Sequence, residues 1–146
     1  MPRLAELNRM ALAELAELRG GKTFVAREAR PAPLDAGLIA SIEDPDQLVL
    51  AGTIDDTPVG YALTRVEDLR DGTRLAVLSD LYVEPEARGV AVGESLMNAV
   101  LAWCREHRCD AVDTFALPGD RNTKNFFEGS GFTARLLLMH HKIVGA

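Results

Sequence analysis

Between residues 4 and 18, apolar side chains recur at steps of three and four through Leu4, Leu7, Ala11, Leu15 and Leu18, while Glu6, Arg9, Glu14 and Glu17 fall on other faces. That spacing predicts an amphipathic helix. Gly20-Gly21 ends it, Pro31 and Pro33 punctuate the segment after it, and a second short helix is expected over residues 34–42, before the turn Asp44-Pro45-Asp46. The chain then becomes strand-like. Residues 47–54 and 59–66 are rich in Leu, Val and Ile, and Asp55-Asp56-Thr57-Pro58 turns between them, so the pair reads as a hairpin. Asp71-Gly72 supplies the next turn, and residues 74–83 form a third long strand that Pro85 stops. Leu96, Val100, Trp103 and Cys104 lie at helical spacing within residues 93–107, the longest core-facing helix of the second half. Residues 111–117 read as a strand, 121–128 as a short helix ended by Gly129 and Gly131, and 135–144 as a last strand.

This order predicts an α/β fold with a mixed, mostly antiparallel sheet flanked by helices, and the strand-helix-strand unit over 75–117 is where a parallel pair can form. At 146 residues, residues 1–146 make a single domain. Hydrophobic residues are 47% and charged residues 26%, the balance of a soluble globular protein rather than a disordered one. The longest apolar runs, such as residues 136–139, fall far short of the roughly 20 residues that cross a bilayer. Met1-Pro2-Arg3-Leu4-Ala5-Glu6 is already charged and helix-like, with no continuous apolar stretch, so a cytoplasmic location is expected. A net charge of −6 disfavours nucleic acid and anionic membrane surfaces, and any anionic ligand must be met by a local site. Cys104 and Cys109 suit reduced thiols, with no disulfide expected. Together with His107 they lack a fourth metal ligand in sequence, and His140 and His141, adjacent in a strand, point to opposite faces, so no metal site is expected.

The chemistry concentrates in Leu81-Tyr82-Val83-Glu84-Pro85-Glu86-Ala87-Arg88-Gly89-Val90-Ala91-Val92-Gly93, a strand that runs through a Pro turn into a small-residue loop opening a helix. Consecutive backbone N–H groups at a helix N-terminus, beside small side chains, make a concavity that binds phosphate. Arg88 adds a charge at the loop entry. No Gly-Lys-Ser/Thr motif comes after it, and the glycine spacing is not that of a dinucleotide fold, so nucleoside triphosphates and NAD lose ground.

Arg88-Gly89-Val90-Ala91-Val92-Gly93 resembles the acetyl-coenzyme A loop of the GNAT N-acetyltransferase family, Arg/Gln-x-x-Gly-x-Gly/Ala. Phe126-Phe127-Glu128-Gly129-Ser130-Gly131-Phe132 resembles that family's later signature, an aromatic pair followed by Gly-Phe. The resemblance runs from about residue 46 to 144. It implies that Leu81, Tyr82 and Val83 pair with the pantetheine arm of acetyl-coenzyme A and that Arg88, Gly89, Val90, Ala91, Val92, Gly93 and Glu94 hold the pyrophosphate. Asn122 and Lys124 would flank the pantetheine and 3′-phosphate, and Phe127 would wall the cleft. The implied activity is acetyl transfer to a primary amine of a small molecule or peptide, with the acidic composition mildly favouring a cationic acceptor. Three departures stand out. The loop's middle glycine is Ala91, tolerable where the backbone has negative φ but leaving slightly less room for phosphate. The second aromatic is Phe127, where the family often has the tyrosine that protonates the leaving thiolate. The family's first strand is missing before the first helix, so either the sheet lacks it or the natural start lies upstream. An exposed sheet edge of that kind can be covered by a second copy, making a homodimer an expectation.

Acetyl transfer needs a neutral amine, donors for the developing oxyanion, and a path for protons. The resemblance puts the oxyanion donor, a free backbone N–H where parallel strands splay at a bulge, near Tyr82 or Val83. Asp80, which shares a face with Tyr82, is the candidate base, with Glu84 and Glu86 nearer the loop and a water relay as an alternative. Tyr82 and Tyr61 are the only tyrosines, and Tyr82 is the candidate acid. A catalytically impaired coenzyme A-binding or regulatory module, motivated by Phe127 and Ala91, is the competing expectation, and a plain interaction domain a third.

Overall fold

A computed structural model describes residues 2–31, 33–89 and 91–144. The chain runs α1 (Pro2–Ala16), α2 (Gly21–Arg27), α3 (Leu34–Glu43), β1 (Gln47–Ile54), β2 (Thr57–Asp68), β3 (Arg74–Val83), a 3₁₀ turn (Pro85–Ala87), α4 (Val92–Glu106), β4 (Ala111–Asp113) and α5 (Arg121–Gly129). Among the described residues the sheet has four strands in the order β1-β2-β3-β4. The first three are antiparallel neighbours, and β4 lies parallel to β3 with Leu75, Ala76 and Val77 opposite Ala111, Val112 and Asp113. The mixed, mostly antiparallel α/β fold with a parallel pair across the 75–117 unit is therefore as expected.

The periodicities explain the packing. α1 buries Leu4, Leu7 and Ala11 and, with Leu38 of α3, covers Tyr61, Leu63 and Tyr82 on one sheet face. α4 buries Val92, Leu96, Met97, Val100 and Cys104 against Ala62, Ala76 and Leu78 on the other. Asp55 and Asp56, both at positive φ, make the two-residue turn of the β1–β2 hairpin. Gly52 of β1 has no room for a side chain: a Cβ there would lie 2.6 Å from Val92 Cγ1, so the first turn of α4 rests directly on the hairpin backbone.

The structure departs from expectation in three elements. α2, seven residues between the glycine pair and Pro31, has no extended apolar period to announce it. β4 is three residues long, where a strand over 111–117 was expected. Residues 133–144 adopt no regular element, and Leu136, Leu137, Leu138 and Met139 are all more than 70% exposed. An unbroken apolar run has no alternation to define one buried face, and the Arg135 guanidinium reaches Asp113 by a side-chain contact rather than by a backbone ladder.

Candidate active site

The site begins with a register fault. Leu63 pairs with Asp80 but Thr64 pairs with Leu78, leaving Ser79 as an extra residue in β3. Strict alternation would put Ala76, Leu78, Asp80 and Tyr82 on one face. The bulge reverses the parity after Leu78, so Ala76 and Leu78 meet α4 while Asp80 and Tyr82 turn towards α1. On the free side of β3, pairing with β4 ends at Val77, and Thr114 Oγ1 donates to Leu78 O at 3.0 Å just beyond. The strands part from there. Bulge and splay thus coincide at residues 78–80, earlier in the strand than Tyr82 or Val83.

Asp80 is held from three sides. Ser79 Oγ donates to Oδ1 at 2.6 Å, and Asn8 Nδ2 of α1 lies 3.4 Å from Oδ2 and donates to Tyr61 Oη at 2.8 Å. The Tyr61 hydroxyl lies 3.5 Å from Oδ2. Burial pushes the Asp80 carboxyl above the usual carboxylate range, opposed by the Ser79 hydrogen bond and the charges of Arg30 and Arg65. The Tyr61 phenol is raised by burial and by the Asp80 charge, and so stays neutral. Asp80 opens into a cleft of about 670 Å³ walled by α2 and the segment after it, by β1 and β2, and by Phe115 beyond β4.

Tyr82 shares that face, and its ring centroid lies 6.2 Å from that of Tyr61. Its hydroxyl donates to Glu14 Oε2 at 2.5 Å, and burial followed by the Glu14 contact raises its pKa. Arg88 converges on the same carboxylate: Nη2 lies 2.9 Å from Glu14 Oε1, Nε donates to Val83 O at 2.8 Å, and the guanidinium carbon sits 5.5 Å from the Tyr82 ring centroid. Arg88 therefore carries an internal counter-ion. Glu84, by contrast, is paired with Arg3 at 2.8 Å, and Glu86 is exposed.

Beyond Arg88 the chain turns through Gly89 at φ +89° and Ala91 at φ +66°; Val90 lies outside the described residues. Ala91 thus occupies the left-handed region rather than the negative φ at which alanine is readily tolerated, because it serves as the N-cap where the loop must reverse into α4. It offers no side-chain cap, so the first N–H groups of α4, at Val92, Gly93 and Glu94, point out of the helix unclaimed by a capping side chain. A Cβ at Gly93 would only touch Phe126 and Val83, at 3.7–3.8 Å. An uncapped helix N-terminus between small residues fits a diphosphate. Ala91→Gly is expected to stabilise the fold by about 0.5–1 kcal/mol, the relief of left-handed strain less the glycine entropy, raising Tm in calorimetry by about 1–4 °C.

The aromatic pair divides its roles. Phe127 is buried, with ring centroids 5.9 Å from Phe126 and 5.8 Å from Phe132, whereas half-buried Phe126 faces Gly93. Asn122 and Lys124 are exposed on α5, which Asp120 caps, and Lys124 reaches Glu128 at 3.4 Å. Burial pushes the Cys104 thiol up to about 12, and burial also raises Cys109, so neither serves as a nucleophile.

The profile of the acetyltransferase (GNAT) family matches residues 12–132, spanning both β3 with its loop and the aromatic pair. The chain belongs to the GNAT acetyltransferase family. Members transfer acyl groups, in general from acetyl-coenzyme A to small-molecule or peptide amines. The chain is 30% identical over 90 residues to a mycothiol acetyltransferase of Propionibacterium freudenreichii subsp. shermanii, a match covering 62% of this chain and 28% of that protein. In fold it is similar to a mutant of the BH1408 protein of Bacillus halodurans (TM-score 0.83, 17% identity, 98% of this chain and 93% of that one). It is also similar to an aminoglycoside acetyltransferase from an uncultured soil metagenomic sample in complex with sisomicin (TM-score 0.66, 18% identity, 94% and 88% covered). Asn8 and Glu14 of α1, which no local pattern singles out, join Asp80, Tyr61 and Tyr82 only through the tertiary fold. No helix among the described residues is long and apolar enough to cross a membrane.

Proposed function

We propose that this protein is an N-acetyltransferase that moves the acetyl group of acetyl-coenzyme A to a primary amine, with Asp80 as general base and Tyr82 as general acid. The observation that carries the reading is the bulge at Ser79, which turns a buried, high-pKa carboxylate into a cleft at the point where β3 and β4 part. Leu81, Tyr82 and Val83 would lie along the pantetheine arm, and Arg88, Gly89, Val90, Ala91, Val92, Gly93 and Glu94 would hold the pyrophosphate. Asn122 and Lys124 would reach the outer phosphate, with Phe126 and Phe127 walling the cleft. When bound, acetyl-coenzyme A supplies an activated acyl carbonyl.

Asp80 takes the proton that the amine must shed to attack, and a raised pKa brings it closer to the neutral range where a base works best. Backbone N–H groups freed near the bulge stabilise charge on the carbonyl oxygen. Tyr82, whose phenol remains protonated beside Glu14, returns a proton to the thiolate as it leaves, taking the part of the tyrosine replaced by Phe127. Tyr82→Phe should lower kcat by about 100-fold and leave the limb set by Asp80 in place, measured by thiol release across pH.

The reading is tested by following thiol release from acetyl-coenzyme A over a broad panel of amines. Saturable, amine-dependent release supports it. Acetyl-coenzyme A binding without turnover on any amine would favour the coenzyme A-binding module that Phe127 and Ala91 motivate, and a folded protein that does not bind acetyl-coenzyme A would overturn both.

A further inference from the structure

The cleft in front of Asp80 has a charge opposite to that of the chain. Three guanidinium groups line it, from Arg27, Arg30 and Arg65, against two carboxylates, Glu28 and Asp80. Glu28 is matched by Arg27, at 3.5 Å. Arg65 has only a loose contact with Glu67, at 3.8 Å, and its side chain is about half exposed. Arg30 is built in: Nη1 donates to Ser41 Oγ at 2.9 Å and approaches Gly37 O at 3.4 Å, both on α3, which fixes the fork. Its Nε is buried with no hydrogen-bond partner among the described residues, so the protein leaves the head group incompletely satisfied. The part of the guanidinium that lines the cleft is suited to a planar anion. Both Arg30 and Arg65 are close enough to lower the Asp80 pKa, so the excess cations sit around the base itself. Phe24 and Phe115 add an aromatic wall to the cleft, edge to face at 6.0 Å, and Phe115 is 46% exposed.

A polycationic acceptor would meet these cations with its remaining charges. We propose that the acceptor is instead a primary amine that carries a carboxylate and an apolar body: the amine at Asp80, the carboxylate between Arg30 and Arg65, and the apolar part against Phe24 and Phe115. This rests on the N-acetyltransferase reading and replaces the expectation of a cationic acceptor drawn from the overall charge of −6. The net field steers what approaches from a distance, whereas the lining of the cleft decides what stays.

Three probes of one shape separate the contributions: phenylalanine, its amide and phenethylamine, with spermidine as the polycation. At saturating acetyl-coenzyme A, kcat/KM for phenylalanine should exceed that for phenethylamine and for spermidine by 10- to 100-fold. Arg65→Gln, on an exposed side chain, should shrink that ratio to below about 5 without changing acetyl-coenzyme A affinity. Arg30→Lys should lower it less than Arg30→Gln. Binding of N-acetylphenylalanine and N-acetylphenethylamine by calorimetry gives a second readout that needs no turnover, and the carboxylate compound should bind at least tenfold tighter. Equal or tighter binding of the neutral compound, or no binding of either, overturns the inference. Efficient acetylation of phenethylamine or spermidine in preference to phenylalanine also overturns it while leaving the N-acetyltransferase reading intact, whereas loss of acetyl-coenzyme A binding by the folded wild type removes that reading itself.

Discussion

Asp80→Asn is expected to lower kcat/KM by about 10²- to 10⁴-fold, the usual range for removal of a general base, while acetyl-coenzyme A affinity measured by calorimetry stays unchanged. The pH dependence separates this from a packing defect. Asp80 must be ionised to accept a proton, and burial raises its pKa, so the rate of the wild type should climb with pH through that raised value. The variant should lack the limb. Stability should move the opposite way. A carboxyl whose folded pKa exceeds its unfolded one keeps its proton in the folded chain after the unfolded chain has released it. The wild type therefore loses stability as pH rises from the ordinary carboxylate pKa through the raised one, and stays penalised above that window. Asp80→Asn carries no such penalty, so urea denaturation should find it more stable than the wild type near pH 7 and closest to it in acid. An inactive variant that is also less stable at pH 7 would argue that Asp80 is a structural carboxylate only.

Arg88→Glu is expected to weaken acetyl-coenzyme A binding by about 100-fold, since it removes a cation from the loop and sets a carboxylate against both Glu14 and an arriving phosphate. Wild-type affinity should fall with salt, and that of the variant should fall less. Because Glu14 occupies the guanidinium, Glu14→Gln should act in reverse. The ion pair is half exposed, worth at most about 1 kcal/mol, so freeing Arg88 tightens binding by no more than about fivefold. Titration calorimetry of the three proteins decides the matter. An unchanged Kd for folded Arg88→Glu would mean that the loop backbone alone holds the ligand.

What could be read in the chain depended on how local the determinant was. The loop from Arg88 to Gly93 was visible because a helix N-terminus with small residues is a contiguous pattern, and β3 was placed at its observed bounds by its own composition. The face shared by Asp80 and Tyr82 was also predicted from alternation, and it holds. The bulge that puts that face against α1 was expected near Tyr82 or Val83 and lies at Ser79, because register is a relation between two strands and Ser79 bears no mark of being the extra residue. The left-handed Ala91 escaped for a similar reason: the backbone angle there is imposed by the entry into α4 rather than preferred by alanine. The cleft in front of Asp80 was hidden because α2 is too short to show a period, yet it brings Phe24 and Arg27 to the cleft wall and leads into Arg30. Over residues 135–144 hydrophobicity was mistaken for strand character, although among the described residues β4 pairs only with β3.

The contact between Gly52 and Val92 gives the N-terminus of α4 a mechanical property. A helix laid on long side chains can sink or tilt as those chains change rotamer, whereas here a methyl group bears on bare backbone in the outermost strand of a hydrogen-bonded hairpin. That footing has almost no compliance. The amides at the start of α4 are consequently anchored in place, and under the proposed function the electrostatic work of gathering a diphosphate would not be dissipated in moving that helix.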